Sequence, residues 1–235
     1  MKVTEEFEEQ LKLDGFIVIK DKSITDQLKN LSKIFYEDFY DTGTSPERAR
    51  KKLSVFANSL DVRKFLILLM EKLDFKTIYP VFSGPCVTHY TSNNDIGKAF
   101  GLGWHQDWPS MASSLSSYVV WSTLTPASVN THGLELIPRS HTSGIFPGKA
   151  SDHGWIVKSD DIDETAAIVP ELPDGGVIIF SSFLLHRTHI NDKYIGEKMA
   201  FSQRLDNFDD EAWERNNYQS AYKTRVDRDL FEKYK

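Results

Sequence analysis

The chain has 235 residues, 40% of them hydrophobic and 26% charged, which is the composition of an ordinary globular protein of one large domain. The net charge of −6 argues against a nucleic-acid partner, since such proteins usually carry a basic excess. No apolar run approaches the length of a membrane-spanning helix, and the acidic start is unlike a secretory signal peptide. The single cysteine, Cys86, excludes an intrachain disulfide and fits the reducing cytoplasm, where we expect the protein.

Helical periodicity dominates the first 75 residues. The apolar spacing predicts helices over residues 5–13, from Ser23 or Thr25 to about 40, from Pro46 onward and over 61–73, with a short strand at 16–19. We expect these helices to form a collar on one side of the molecule.

From about residue 76, short β-rich runs alternate with Gly, Pro, Asn and Asp. The runs cover residues 77–82, 86–91, 117–124, 134–137, 156–157, 167–169, 177–181 and 198–205. Many short strands without intervening helices predict a sandwich or barrel and argue against a doubly wound parallel sheet. We therefore predict a single domain over 1–235, mainly β with a helical N-terminal part: a helical collar (1–75), a double-sheet β-roll core (76–206) and a charged C-terminal extension (207–235) that forms a short helix.

The segment Gly103-Trp104-His105-Gln106-Asp107 contains a His-x-Asp pair. Residues i and i+2 of an extended chain point to the same face, so His105 and Asp107 can place an imidazole and a carboxylate on one metal ion. By itself the pair fits a surface ion pair equally well.

A third metal-ligand candidate, His186, ends an apolar run that follows the turn Asp174-Gly175-Gly176. An imidazole in such a run needs a polar partner, which is either a backbone carbonyl or a metal. Two histidines and one carboxylate on one face of an ion leave three positions open, which is the arrangement of non-haem Fe(II) oxygenases.

Five short motifs stand in a fixed order between about residues 8 and 205. They are Leu13-Asp14-Gly15-Phe16, Trp104-His105-Gln106-Asp107, Asn130 to His141 with Arg139 where glycine is usual, Asp174-Gly175-Gly176, and His186-Arg187-Thr188 with Asn191 in place of an "HGS…N" motif. With these motifs the chain resembles the phytanoyl-CoA dioxygenase family of Fe(II)- and 2-oxoglutarate-dependent oxygenases.

The resemblance implies a fold, a metal site and a reaction. The fold is a double-stranded β-helix, or jelly-roll, and the ligands of Fe(II) are His105, Asp107 and His186. The reaction consumes 2-oxoglutarate and O₂ and yields succinate and CO₂. Halogenating relatives replace the acidic ligand by a small residue, so Asp107 favours hydroxylation of a C–H bond in a small or carrier-bound metabolite. The sequence indicates neither the substrate nor the oligomeric state.

The resemblance also implies positions for 2-oxoglutarate. The family's arginine for the far carboxylate matches Lys198 here, and Arg204 is the alternative. The two lie on one side of a strand roughly 20 Å apart, at about 3.3 Å per residue, so one carboxylate cannot bind both. Each also fits an exposed charge at a strand end. Trp121 matches a tryptophan lining the cosubstrate pocket, or is plain core, and Thr188 matches a serine that bonds the anchored carboxylate.

Two other functions stay open at this point. One is a metal-dependent jelly-roll oxygenase that does not use 2-oxoglutarate, and the other is a jelly-roll that has lost catalysis and binds a ligand such as a sugar. His132 is predicted to lie on the surface, and the polar loop over 91–103 is predicted to gate the substrate.

Overall fold

The computed structural model describes residues 3–40, 45–75, 77–91, 102–111, 114–151, 154–207 and 209–210. The α-helices in these segments are α1 (Val3–Asp14), α2 (Lys22–Ile34), α3 (Pro46–Ala57), α4 (Leu60–Leu73) and the short α5 (Trp108–Met111), and a π-helical turn over Phe35–Phe39 continues α2. The strands are β1 (Phe16–Ile19), β2 (Ile78–Thr91), β3 (His105–Gln106), β4 (Tyr118–Thr123), β5 (Gly133–Leu136), β6 (Gly148–Ser151), β7 (Gly154–Val157), β8 (Gly176–Ser181), β9 (His186–His189) and β10 (Glu197–Asn207). None of the described helices is long and apolar enough to cross a membrane.

The strands form two five-stranded antiparallel sheets. The larger sheet has the order β1-β8-β4-β10-β2 and the smaller sheet the order β5-β9-β3-β7-β6. The predicted jelly-roll with a helical N-terminal part is thereby confirmed. The predicted division into collar, core and extension stays a prediction, because the extension beyond residue 210 and residues 92–101 of the predicted gate lie outside the described residues.

Two predicted boundaries are wrong for local reasons. The second helix begins at Lys22 rather than after Ser23 or Thr25, because the carboxylate of Asp21 accepts a hydrogen bond from the backbone N–H of Ile24 and caps the helix. The runs at 77–82 and 86–91 form one long strand, β2, whose pairing with β10 shifts register between Ser202 and Arg204.

Both faces of the central strands β4 and β8 are buried, which explains why these two strands are mostly apolar. Side chains alternate along each strand, so Trp121, Phe180 and Ala200 pack in the core between the two sheets, while Ile179 and Phe201 pack in the core under the helices. By the same alternation, Lys198, Ser202 and Arg204 share the inner face of β10 with Ala200. The fold therefore turns three polar side chains of this strand toward the space between the sheets.

Candidate active site

The pairing of β3 with β9 brings the two candidate histidine ligands together. His105 lies directly opposite His186 in the antiparallel register, and their ring centroids are 4.0 Å apart. Asp107 follows β3, where its backbone N–H donates to the carbonyl of Ser182 at 3.0 Å. Residues far apart in the chain thus meet on one inner surface of the smaller sheet.

The three side chains offer their ligand atoms to one point. One ligand atom from each residue lies within 4.8 Å of the others, and each histidine Nε2 is 3.9 Å from an oxygen of Asp107. This distance is too long for a hydrogen bond. Because Nδ1 of His105 lies 2.9 Å from the carbonyl of Gly103, and Nδ1 of His186 lies 2.9 Å from the carbonyl of Leu184, Nδ1 carries the proton in each ring. Each Nε2 therefore presents its lone pair toward the carboxylate, as metal ligation requires.

The buried environment keeps these donors in the protonation states that bind a cation. Burial lowers the pKa of His105 and, together with the neighbouring His105 ring, lowers the pKa of His186 to about 3. Burial raises the pKa of Asp107, but the charge of the Arg204 guanidinium outweighs it and holds the pKa below its ordinary value. Near neutral pH the site offers two neutral imidazoles and one carboxylate, which fits a divalent first-row metal ion.

Gln106 fixes the segment between the two ligands. Its side-chain N–H₂ donates to the carbonyls of Gly144 and Phe183 at 2.8 and 2.6 Å, and its Oε1 accepts from the backbone N–H of Phe146 at 2.8 Å. The residue is fully buried on the opposite side of the strand from the ligands. These bonds hold a strand of only two residues in place.

Arg204 lies between the two sheets, beside the candidate metal ligand Asp107. Its Nη2 is 3.0 Å from Oδ2 of Asp107, and its Nη1 donates to the Ser202 hydroxyl at 2.8 Å. Both members of the pair are buried. Because the two imidazoles are neutral near pH 7, Arg204 is the cation that keeps Asp107 ionised there.

Replacement of Arg204 by methionine leaves the Asp107 carboxylate buried beside two neutral rings. We expect the free energy of unfolding of the metal-free protein to fall by about 3 kcal/mol, the usual loss when one partner of a buried ion pair is removed. Urea unfolding at pH 7 measures it. The matched control is Arg139→Met, because the Arg139 side chain is 66% exposed in its pair with Asp14 and contributes little. Equal stability losses in both variants would contradict the importance of the buried pair.

Lys198 lies further along the same face of β10. It is only 2% exposed, and its Nζ donates to the carbonyl of Gly133 in the smaller sheet at 2.5 Å. Its Nζ also lies 5.6 Å from the centroid of the Trp121 ring, within the range of a cation–π contact. Within the described segments, no carboxylate lies within ion-pair distance of this ammonium, and burial lowers its pKa to about 7. An anion beside Lys198 would favour the charged form of this lysine.

Of the other predicted contacts of the cosubstrate, Trp121 lies near this cation and Thr188 lies on β9. Thr188 pairs with Leu134 in the register of β5 and β9, two residues from His186 and on the same face. Trp121 is buried in the core between the sheets. The structure thus brings together Lys198 and Trp121 and places Thr188 on the strand that carries a candidate metal ligand, whereas Arg204 lies apart, at Asp107.

His132 was not predicted as part of this region. Its expected surface position is wrong: the side chain is 1% exposed, packs edge-on against the Tyr194 ring and accepts a hydrogen bond from the backbone N–H of Asn191. Burial and the nearby charge of Lys198 lower its pKa to about 4, so it is neutral at pH 7. His132 directly precedes Gly133, whose carbonyl accepts a hydrogen bond from Lys198 of the other sheet. The burial of His132 therefore depends on tertiary packing, for which the sequence holds no local signal.

The fold and the paired metal donors define a jelly-roll of the non-haem oxygenase type. The model of the phytanoyl-CoA dioxygenase (PhyH) family matches residues 12–192. Because this match covers more than half of the chain, the chain belongs to the phytanoyl-CoA dioxygenase family. A search of curated proteins finds no match.

Solved structures share this fold at low sequence identity. EvdO2 from Micromonospora carbonacea var. aurantiaca is 17% identical with a TM-score of 0.58, over 85% of this chain and 89% of that one. The complex of EvdO2 with 2-oxoglutarate is 15% identical with a TM-score of 0.56, again over 85% of this chain and 89% of that one. The non-haem α-ketoglutarate-dependent epimerase SnoN from nogalamycin biosynthesis is 11% identical with a TM-score of 0.54, over 87% of this chain and 83% of that one. At these identities the likeness is one of fold.

Proposed function

We propose that the protein is an Fe(II)- and 2-oxoglutarate-dependent dioxygenase that hydroxylates a C–H bond of a small or carrier-bound metabolite. The observation that carries the proposal is the convergence of His105, Asp107 and His186 within 4.8 Å on the inner face of the smaller sheet. Membership of the phytanoyl-CoA dioxygenase family supports the same reaction class.

His105, Asp107 and His186 would hold the metal through two Nε2 atoms and one carboxylate oxygen. Three protein donors would leave coordination positions for the cosubstrate and oxygen. Iron with 2-oxoglutarate supplies the oxidising chemistry: one oxygen atom of O₂ enters the substrate as a hydroxyl group, and the other enters succinate as CO₂ is released. Arg204, on Oδ2 of Asp107, would keep that oxygen from the metal and leave Oδ1 as the ligand.

Lys198 would bind the far carboxylate of 2-oxoglutarate. The ammonium is buried between the sheets on the inner face of β10, and the hydroxyl of Thr188 can donate a hydrogen bond to a carboxylate held beside it. Arg204 is the weaker anchor because it is already paired with Asp107 at 3.0 Å. The neighbouring Trp121 and Phe180, whose ring is 4.6 Å from the His186 ring, would exclude water from the space between the sheets.

The keto-acid cosubstrate of the proposed reaction agrees with the relatives of known structure. EvdO2 has been crystallised with 2-oxoglutarate, and SnoN is named as dependent on the same compound. SnoN is an epimerase, so the fold alone does not select hydroxylation. The carboxylate ligand Asp107 leaves no place for a halide at that position, so we propose hydroxyl transfer rather than halogenation.

The proposed function predicts a visible absorption band when Fe(II) and 2-oxoglutarate are added together without oxygen, followed by succinate formation when air is admitted. Absorbance and succinate assays, with ascorbate present and a panel of small metabolites, make the measurement. Iron binding without a band or succinate would favour an oxygenase that uses no 2-oxoglutarate. A protein that binds no iron would instead be a ligand-binding jelly-roll, and the proposal would be wrong.

A further inference from the structure

We propose that Arg187 is a positioning residue that clamps the two histidine-bearing segments from the outer face of the smaller sheet and thereby sets the affinity for the metal. The inference rests on the proposed metal site. Arg187 stands where the "HGS" motif of the family has glycine, so it is a feature of this chain rather than one carried over from the family.

Arg187 immediately follows His186 on β9 and points to the opposite face. Its Nε and Nη2 donate to the two carboxylate oxygens of Glu135, its register partner on β5, at 2.5 and 3.1 Å. Its Nη1 donates to Glu164, in the short helical turn Glu164–Ala166, at 2.8 Å. A planar fork bound to one carboxylate and fixed by a second has a single orientation.

The oriented guanidinium lies over the ring of Trp104. Its central carbon is 4.3 Å from the ring centroid, and Trp104 immediately precedes His105. The ring is 2% exposed, and in the described part of the chain its Nε1 has no hydrogen-bond acceptor. Packing rather than hydrogen bonding therefore holds the Trp104 ring, and the guanidinium of Arg187 packs on one of its faces in a cation–π contact.

One guanidinium thus connects the residue after one candidate metal ligand to the residue before the other. The connection matters because β3 has only two residues, and its ladder with β9 consists of the single pair His105 and His186. Beyond this pair, a backbone bond from the N–H of Thr188 to the carbonyl of Leu102, at 3.1 Å, joins the two segments, so few backbone bonds set the distance between the two imidazoles. The stack of Arg187 on Trp104 fixes it from outside, and residues that orient ligands in this way typically change metal affinity by about 10–100-fold when they are replaced.

The test uses Co(II) as the probe, with binding followed by calorimetry and by the visible spectrum of the bound ion. We expect Arg187→Met to raise the Kd for Co(II) about tenfold or more and to alter the spectrum at saturation. Arg187→Lys is expected to raise it also, because lysine keeps the charge but has neither the fork nor the planar face. The matched control, Arg139→Met, removes a surface arginine of the same size and is expected to keep the wild-type Kd.

A purely structural role would change stability without changing the site. If Arg187→Met lowers the urea midpoint in the presence of EDTA but keeps the wild-type Kd and spectrum, the inference is overturned. If Arg187→Met does not fold, Glu135→Gln carries the test, since it weakens the fork and leaves Arg187 in place. A wild-type chain that binds no Co(II) would contradict the proposed metal site itself, whereas wild-type binding with unchanged variants would contradict only the clamp.

Discussion

Replacement of His186 by alanine is expected to abolish Fe(II) binding and to lower succinate formation by about a thousandfold or more, as is usual when one member of a catalytic set is removed. The reason is geometric, because His105 and Asp107 alone leave the ion with two protein ligands from one short segment. Iron content after anaerobic loading and the rate of succinate formation measure the two effects.

The same substitution should weaken the fold but leave the protein folded. His186 is neutral at pH 7, so its removal deletes no charge but removes a hydrogen bond to Leu184 and the contacts with the Phe180 and His105 rings. We expect a loss of about 2–4 kcal/mol in the free energy of unfolding of the metal-free protein. A folded His186→Ala variant that has lost iron binding would show that His186 is a metal ligand rather than a residue that only packs in the core.

The matched control is His189→Ala. His189 lies three residues further along β9 on the outer face, where its Nε2 contacts the carbonyl of Val129. This variant should retain iron and activity within about twofold of the wild type, since surface changes are usually small. Iron bound with wild-type affinity by His186→Ala would remove the basis of the proposed function.

The sequence predicts the candidate metal donors because the information is local. A His-x-Asp pair on an extended segment and a histidine after a buried strand need only the alternation of strand side chains and one pairing register to meet. The structure brings these three side chains together at the pairing of β3 with β9. The short strands themselves are less visible, since β3 has two residues and no periodicity can be read from so few.

The contacts that cross from one sheet to the other could not be predicted. Arg204 is a candidate anchor from its strand position, but its pairing with Asp107 depends on the spacing between the two sheets. The burial of His132 depends on Tyr194 and on the chain near Asn191, which lie some 60 residues further along the sequence. Such contacts are set by tertiary packing and carry no local pattern.

Lys198→Met is expected to weaken 2-oxoglutarate binding by about a hundredfold, because loss of one partner of a buried charge pair usually costs 2–5 kcal/mol. The Kd for 2-oxoglutarate, read from the anaerobic absorption band, measures it. Lys29→Met is the control, since Lys29 is half-exposed in its pair with Asp174 and lies outside the space between the sheets. A variant of Lys198 with wild-type affinity, together with loss of affinity in Arg204→Met, would make Arg204 the anchor instead.

Lys198→Met, which is expected to weaken 2-oxoglutarate binding, should increase the stability of the metal-free protein at pH 7. The folded state holds the pKa of Lys198 at about 7, below the ordinary value of 10.5, so the unfolded chain binds more protons between these two values. The free energy of unfolding therefore contains a contribution that rises as the pH increases from 7 to 10.5. Lys198→Met is expected to lack this rise and to be more stable than the wild type at pH 7, as measured by urea unfolding across this range.

The affinity for 2-oxoglutarate should fall as Lys198 loses its proton, whereas the stability of the metal-free protein rises. The carboxylate requires the charged ammonium, which the free protein loses above about pH 7, while the neighbouring His132 stays neutral because its pKa is about 4. We expect the Kd to rise by up to about tenfold per pH unit above 7 in the wild type and to be flat over this range in Lys198→Met. A structural lysine would produce the stability effect without the binding slope, so the two pH profiles together distinguish an anchor for the cosubstrate from a buried cation that only fills space.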